Sequence, residues 1–330
     1  MKRVVDAGIS MNFAAKVTKV DTSDFIIPTR GYFFSHFCSM RTYPSKLLLF
    51  GEHILLQGGS ALAIPLHRFS GFWQPEGTPL PAEIMAKLRL FANSTHLDSI
   101  DQLDTGRFAR ELELGLSLQS DIPVGYGLGS SGALCAAVYD RYCTSKTDNL
   151  SELKLIFSGM ESFFHGSSSG IDPLTSYLDK PLLIRNKTDV FAAEQKDWKK
   201  KPYVFLLDTG LPRQTGPLVN WFLEQSRPGG SLEPVLGQYL QAHEQTVQAW
   251  LSAEYDSFFD NLNIVSGFQV EYFTPMVPVN TRELWEYGLA TGKYTLKICG
   301  AGGGGFMLGF CNNPEDIAEL NIHFRLITNL

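Results

Sequence analysis

The stretch PVGYGLGSSGALCAA, Pro123 to Ala137, decides how this chain is read. It is a glycine-rich turn carrying two serines that runs into a helix of small residues. Such a turn aims several backbone N–H groups at one point, and the helix dipole adds partial positive charge there, so an anion is favoured and phosphate is the natural ligand. Gly127 to Gly132 also satisfies GxGxxG. A dinucleotide fold expects its strand to lead directly into the first glycine, whereas Ser120 to Tyr126 intervene here, and no acidic residue at a strand end follows at the expected distance. The Walker A pattern fails because no lysine follows the last glycine. A turn whose serines only cap a helix, with no ligand, is the alternative on local grounds.

Three other segments carry chemistry-bearing residues. Upstream, YPSKLLLFG, Tyr43 to Gly51, is a short apolar run stopped by glycine, which predicts a buried strand. Lys46 opens that run, which calls for a charge partner in a cleft, and Glu52-His53 follow it. Downstream, ESFFHGSSSGIDP runs from Glu161 to Pro173. Asp172 there is either an Asx cap in a turn or a base or metal ligand sharing a cleft with Glu161. Gly300 to Gly305, GAGGGG, has no side chain larger than a methyl over six residues, so either another backbone or a ligand approaches closely, unless the segment is only a mobile hairpin.

Composition bounds the setting. With 330 residues, 44% of them hydrophobic and 19% charged, the chain can build a substantial core, and disordered and fibrous classes are excluded. Its length exceeds what one core usually holds, which predicts two lobes sharing a cleft. Twenty-eight Lys and Arg against 34 Asp and Glu give a net charge of −6, which argues against nucleic acid as a partner. Lys199-Lys200-Lys201 reads as a solvated connector. Five cysteines without a CxxC fit reduced thiols in a cytosolic protein, and the histidines lack zinc-site spacing, which leaves a divalent cation on oxygen ligands open. No run of about 18 apolar residues is present, so no membrane association is expected and a cytoplasmic location is.

The pattern of elements is mixed. ELELGLSLQ, Glu111 to Gln119, alternates leucine with polar residues and predicts a strand, with a turn at Asp121 to Pro123. Asn149 to Glu152 reads as a capping box opening a helix that Gly166 ends. After the connector come a strand at Tyr203 to Leu207, a helix from about Val235 to Leu262 with His243 partly buried on its apolar stripe, and a second capping box at Asn280 to Glu283. Strand, glycine loop and strand follow over Tyr294 to Phe310. Strands and helices are interspersed, which indicates α/β or α+β architecture. The first 39 residues show no sustained period, and order there is not expected.

KLLLFGEH (Lys46 to His53), PVGYGLGSSGA and KICGAGGGGF (Lys297 to Phe306) occur in the order and wording of the three motifs of the GHMP kinase superfamily, which spans galactokinases, homoserine kinases, mevalonate kinases and phosphomevalonate kinases. ESFFHGSSSGID and LLDTGLPRQT (Leu206 to Thr215) resemble segments of its mevalonate kinase branch. The likeness covers roughly Met40 to Phe310. It departs in having Pro44-Ser45-Lys46 for the usual Pro-Gly-Lys and Gly132 for the usual alanine, and the segment Phe273 to Asn280 lacks the family's wording.

The resemblance implies an α+β, two-lobed fold, with an N-terminal ribosomal-protein-like α/β lobe over residues 40–198 and a C-terminal ferredoxin-like lobe over 199–330, preceded by an extension over 1–39. It implies ATP and Mg2+ as cofactors and a small-molecule alcohol as substrate, mevalonate first, with phosphomevalonate, galactose or homoserine as alternatives, or a silent ligand-binding regulator outside catalysis. Gly125, Gly127, Leu128, Gly129, Ser130, Ser131 and Gly132 would wrap the ATP phosphates. Ser131 and Glu161 would hold magnesium, Asp172 would accept the alcohol proton, and Lys46 would offset charge beside it. Glu52, His53, Gly302 and Gly303 would lie near the substrate. A homodimer is compatible with a sequence that does not set oligomeric state.

Overall fold

A computed structural model of the chain describes residues 41–74, 81–98, 100, 102–212, 215–318 and 324–327. The extension expected over residues 1–39 lies outside them. The described chain is α+β, built on two antiparallel sheets.

The first sheet grows from β1 (Thr42–Phe50) and β2 (Ala61–Gln74), paired antiparallel. Most of β1 is buried, which is why its sequence runs apolar instead of alternating. β2 is long enough to pair along its length with β1 and also with β3 (Ser117–Ser120) and β4 (Leu182–Arg185), and β5 (Asp189–Ala192) closes the far edge. Between β2 and β3 lie three helices, α1 (Ala82–Ala92), α2 (Thr95–Asp98) and α3 (Thr105–Glu113). Then α4 (Ser130–Tyr142), α5 (Leu150–His165) and α6 (Ile171–Leu178) pack together, with α4 and α6 laid against β1 and β2.

The second sheet begins with β6 (Tyr203–Asp208). It is followed by α7 (Thr215–Ser226), α8 (Glu233–Ser252), α9 (Tyr255–Tyr272) and α10 (Val279–Thr291), and then by β7 (Tyr294–Ile298), β8 (Phe306–Cys311), α11 (Glu315–Ala318) and β9 (Phe324–Ile327). Its strand order is β7-β8-β6-β9. Both α9 and α10 pack on β7.

Four local expectations change. ELELGLSLQ is divided between the end of α3 and β3: Phe108 and Leu112, four apart, are the buried pair, and Leu114 is 82% exposed. Asp104 caps that helix by accepting from Arg107 N, and Glu111 joins it to α4 through Arg141 and Tyr142, so a helical period wins over alternating leucines. The long helix around Val235 to Leu262 is two helices, broken where Ala253 turns left-handed at φ 56°. The second capping box is not formed: α10 starts after Pro278, and the Asn280 side chain donates across to Thr209 O. Asp172 sits in the first turn of a helix and not in a loop. At the first capping box, Asn149 caps α5, its Oδ1 accepting from Ser151 N and Glu152 N, while the return half of the box is taken by Thr147, whose Oγ1 donates to Glu152 Oε2 and accepts from Asn149 N. His243 is buried on α8, its Nε2 2.8 Å from Ser60 O.

An aromatic cluster joins the sheets. Phe50, at the end of β1, stacks on Phe310 of β8 at 6.0 Å and 12°, and Trp250 of α8 and Phe258 of α9 meet both rings edge-on or tilted. All four side chains are buried. Trp250→Ala should therefore cost about 3–5 kcal/mol of unfolding free energy, the range for emptying a large aromatic from a packed core. Denaturant unfolding of the full chain measures it, and a loss under about 1 kcal/mol would mean the joint is not a packing centre.

Candidate active site

The site starts from backbone that only glycine adopts cheaply. Gly125, Gly127 and Gly129 have φ of 83°, 74° and 72°, and they coil the chain into the N-terminus of α4, where no side chain caps the first turn. The free N–H groups at Ser130, Ser131 and Gly132 thus meet an uncapped helix end, the arrangement that receives an anion. Leu128 is buried, and its carbonyl accepts from the Lys46 backbone N at 2.9 Å, which ties the loop to β1.

From the same residue the Lys46 side chain reaches Asp172, Nζ to Oδ1 2.6 Å, with the lysine side chain 9% and the aspartate 28% exposed. Asp172 is delivered by Gly170, whose φ of 74° starts α6 and whose missing Cβ lets the turn lie on the backbone of α5 at Lys154 and Ser158. Gly132 completes the approach: a Cβ there would stand 2.8 Å from the Asp172 carbonyl carbon and from Pro173 N.

Glu161 projects from α5 into the same place and is buried. Ser131 Oγ donates to its Oε1 at 2.9 Å, and Ser168 Oγ donates to its Oε2. Burial first, and the neighbouring Asp172 second, push its pKa up to about 7, while the two serines and Lys46 pull the other way. Ser131 Oγ also lies 3.0 Å from His165 Nε2. Since its hydroxyl proton serves Glu161, that nitrogen is the donor. His165 lies within the ESFFHGSSSGID segment but is given no role by its sequence reading; its place one helical turn after Glu161 along α5 is the signal that could have found it.

The remaining expected residues are Glu52, His53, Gly302 and Gly303. His53 is buried at φ 61°, with Nε2 3.0 Å from Ala301 O and its ring 5.2 Å from that of Phe222. Glu52, expected near the substrate, is enclosed, and its carboxylate is held by Lys297 Nζ at 2.6 Å. Burial raises the pKa of Glu52 and Lys297 opposes that rise. Gly302 and Gly303 turn at φ 76° and 74°, and the sides where a Cβ would stand are taken by Met276 and Leu218. The close approach foreseen at this loop is made on those sides by the protein itself. Gly305 approaches Tyr126 of the first loop, and Thr209 Oγ1 donates to its carbonyl at 2.7 Å.

The set is an anion cradle, a hydroxyl and a carboxylate suited to a hard cation, and a carboxylate–ammonium pair beside them. Among the described residues no cluster of three or more His, Cys, Asp or Glu could cage a metal. Two oxygen donors, Ser131 and Glu161, suit magnesium, which keeps several waters and takes its other ligands from phosphates. No helix among the described residues is long and apolar enough to cross a membrane.

Known proteins share the fold. Residues 96–180 match the family described as GHMP kinases N terminal domain. Mevalonate kinase of Pyrococcus abyssi is 28% identical over 302 residues, covering 80% of this chain and 86% of that protein. The crystal structure of L. major mevalonate kinase in complex with R-mevalonate superposes with a TM-score of 0.60 at 17% identity, over 85% of this chain and 89% of the other. Lactococcus lactis galactokinase complexed with galactose gives 0.59 at 13%, over 86% and 92%. The matched domain and the shared fold are those of GHMP kinases, which are ATP-dependent phosphotransferases with an alcohol acceptor, and the chain resembles them. Mevalonate kinases are among the relatives that match over most of the chain.

Two outcomes follow. Gly132→Ala gains up to about 1 kcal/mol in helix propensity. Its methyl, however, meets backbone and not a flexible side chain, so α6 must shift. Turnover should fall by about 10- to 100-fold, the cost of a misplaced group, and steady-state kinetics beside circular dichroism checks it. For Glu161, a folded-state pKa of about 7 against an ordinary 4.5 means that the folded protein holds the extra proton between those values. The metal-free protein should lose stability from this group as pH rises from about 4.5 through about 7. Glu161→Gln should flatten that dependence, read by urea unfolding at a series of pH values.

Proposed function

We propose that this protein phosphorylates the primary hydroxyl of mevalonate from ATP with magnesium, a step of isoprenoid synthesis. The observation that carries the proposal is the 2.6 Å pair of Lys46 and Asp172, set at the mouth of the uncapped α4 N-terminus. The alcohol oxygen attacks the γ-phosphorus, its proton passes to Asp172, and the bond to the bridging oxygen breaks to release ADP. Lys46 offsets the charge on the transferred group, and the loop of Gly125 to Gly132 holds the phosphates through backbone N–H groups.

Ser131 and Glu161 would hold the magnesium, which when bound neutralises phosphate charge. The raised pKa of Glu161 fits this role, since a buried carboxylate beside another carboxylate is a place a cation relieves. In a loose phosphoryl-transfer transition state such positioning and charge neutralisation supply most of the catalysis. The lobe boundary is proposed at the connector Lys199–Pro202, between β5 and β6.

Mevalonate is favoured over other acceptors by the likeness to the Pyrococcus abyssi enzyme, which covers 80% of this chain. Kinases for phosphomevalonate, galactose or homoserine share the superfamily and are the alternative substrate readings. ADP release with magnesium-ATP, measured with mevalonate, phosphomevalonate, galactose, homoserine and no acceptor, should show turnover with mevalonate alone. Asp172→Asn should reduce it by about 10²- to 10⁴-fold with ATP binding retained. Turnover with another acceptor would replace the substrate, and full activity of the variant would remove Asp172 as the base.

A further inference from the structure

The enclosed pair of Glu52 and Lys297 is not used by the chemistry just described. Glu52 follows β1, the strand that carries Lys46, and Lys297 lies on β7, which leads into the Gly300–Gly305 loop. The two side chains are 2% and 1% exposed. Lys297 Nζ also donates to Ile298 O at 2.7 Å and faces the Phe50 ring at 5.6 Å, so it is bound on three sides. Behind it, Gln269 of α9 accepts from Ile298 N at 2.9 Å and donates to Tyr239 of α8 at 2.7 Å, which holds the end of β7 against the helices.

One residue beyond Glu52, His53 makes a second crossing to Ala301. The crossings belong to a circuit. Lys46 N is bonded to Leu128 O, Tyr126 of that loop packs on Gly305 and on the Phe306 ring at 4.8 Å, and the third loop returns through Ala301 to His53. The three glycine-bearing segments are thereby braced against one another, and Glu52–Lys297 is the charged member of the brace.

Burying two charges is a poor way to gain stability, because apolar residues of similar volume commonly do as well. A fixed 2.6 Å contact instead sets the relation between two sheets. We infer that Glu52 and Lys297 are positioning residues that set β1, with Lys46, against the third glycine loop, and that Glu52 does not touch the acceptor. The inference rests on the kinase reading for its kinetic consequence and on the structure alone for the brace itself.

The test uses the full chain as wild type, Lys297→Met, Glu52→Leu and the double variant Glu52→Leu/Lys297→Met. Single variants leave one charge buried and unpaired and can fail to fold; the double variant removes both and keeps the core apolar. In the folded double variant, amide hydrogen exchange should quicken together in peptides covering residues 51–56 and 299–306. Its kcat should fall about tenfold or more while the KM for ATP stays within about twofold, as expected when geometry and not nucleotide binding is lost. Unchanged exchange in both peptides, or full kcat in the double variant, overturns the inference. So does a raised acceptor KM in Glu52→Leu with Lys297→Met kinetically normal, since Glu52 would then act on the acceptor directly. If wild type turns over no acceptor while exchange responds as expected, the kinase reading fails and the brace stands.

Discussion

No atom fits between Gly132 and the backbone of Asp172. A Cβ at 132 would lie 2.8 Å from the Asp172 carbonyl carbon, and this closeness lets the first turn of α6 rest on the first turn of α4. The other placements hang on it. Asp172 comes within reach of Lys46, and Glu161 and Ser131 meet across the same gap at 2.9 Å. Two helix N-termini thus open onto one spot, so partial positive charge gathers where the carboxylates of Asp172 and Glu161 would otherwise repel. Gly129 and Gly170 serve the same end from either side, each left-handed and each lying close to a neighbour that a side chain would meet.

Around this contact the electrostatics are graded by burial. Lys46 and Asp172 form a partly open pair, and the aspartate keeps about a quarter of its side chain accessible, as the proposed proton acceptor would need. Glu161 is more deeply enclosed, and its pKa rises accordingly. Glu52 and Lys297 are sealed altogether. Moving from the mouth inward, the ionic groups pass from those able to meet a ligand to those able to meet only each other.

Much of this was legible in the sequence, because glycine clusters and a lysine in an apolar run are costly in a fold unless backbone or ligand must come close and a charge must be met. The turn at Gly125 to Gly129, the strand holding Lys46 and the strand–loop–strand of Tyr294 to Phe310 occur where the residues put them. Less was legible where tertiary contacts override a local pattern. Alternating leucines from Glu111 to Gln119 mimic a strand, yet Glu111 is claimed by Arg107 and Arg141 and the segment winds as helix up to Glu113. The 14 residues of β2 gave no clean alternation, since Pro65 and a sequence of apolar and basic residues serve three different partner strands. The commitment of Glu52 could not be read locally at all, because its partner is 245 residues away.

Lys46 and Asp172 are each held in place by main-chain atoms: the amide of Lys46 bonded to Leu128, and the backbone of Asp172 lying on Gly132. Neither contact depends on the functional side chain. Scaffold and reactivity are therefore separately heritable in this fold: a lineage can exchange either side chain and still pass on the cradle, the helix ends and their spacing. A descendant that has lost phosphoryl transfer would keep a ready-made receptor for its former ligands.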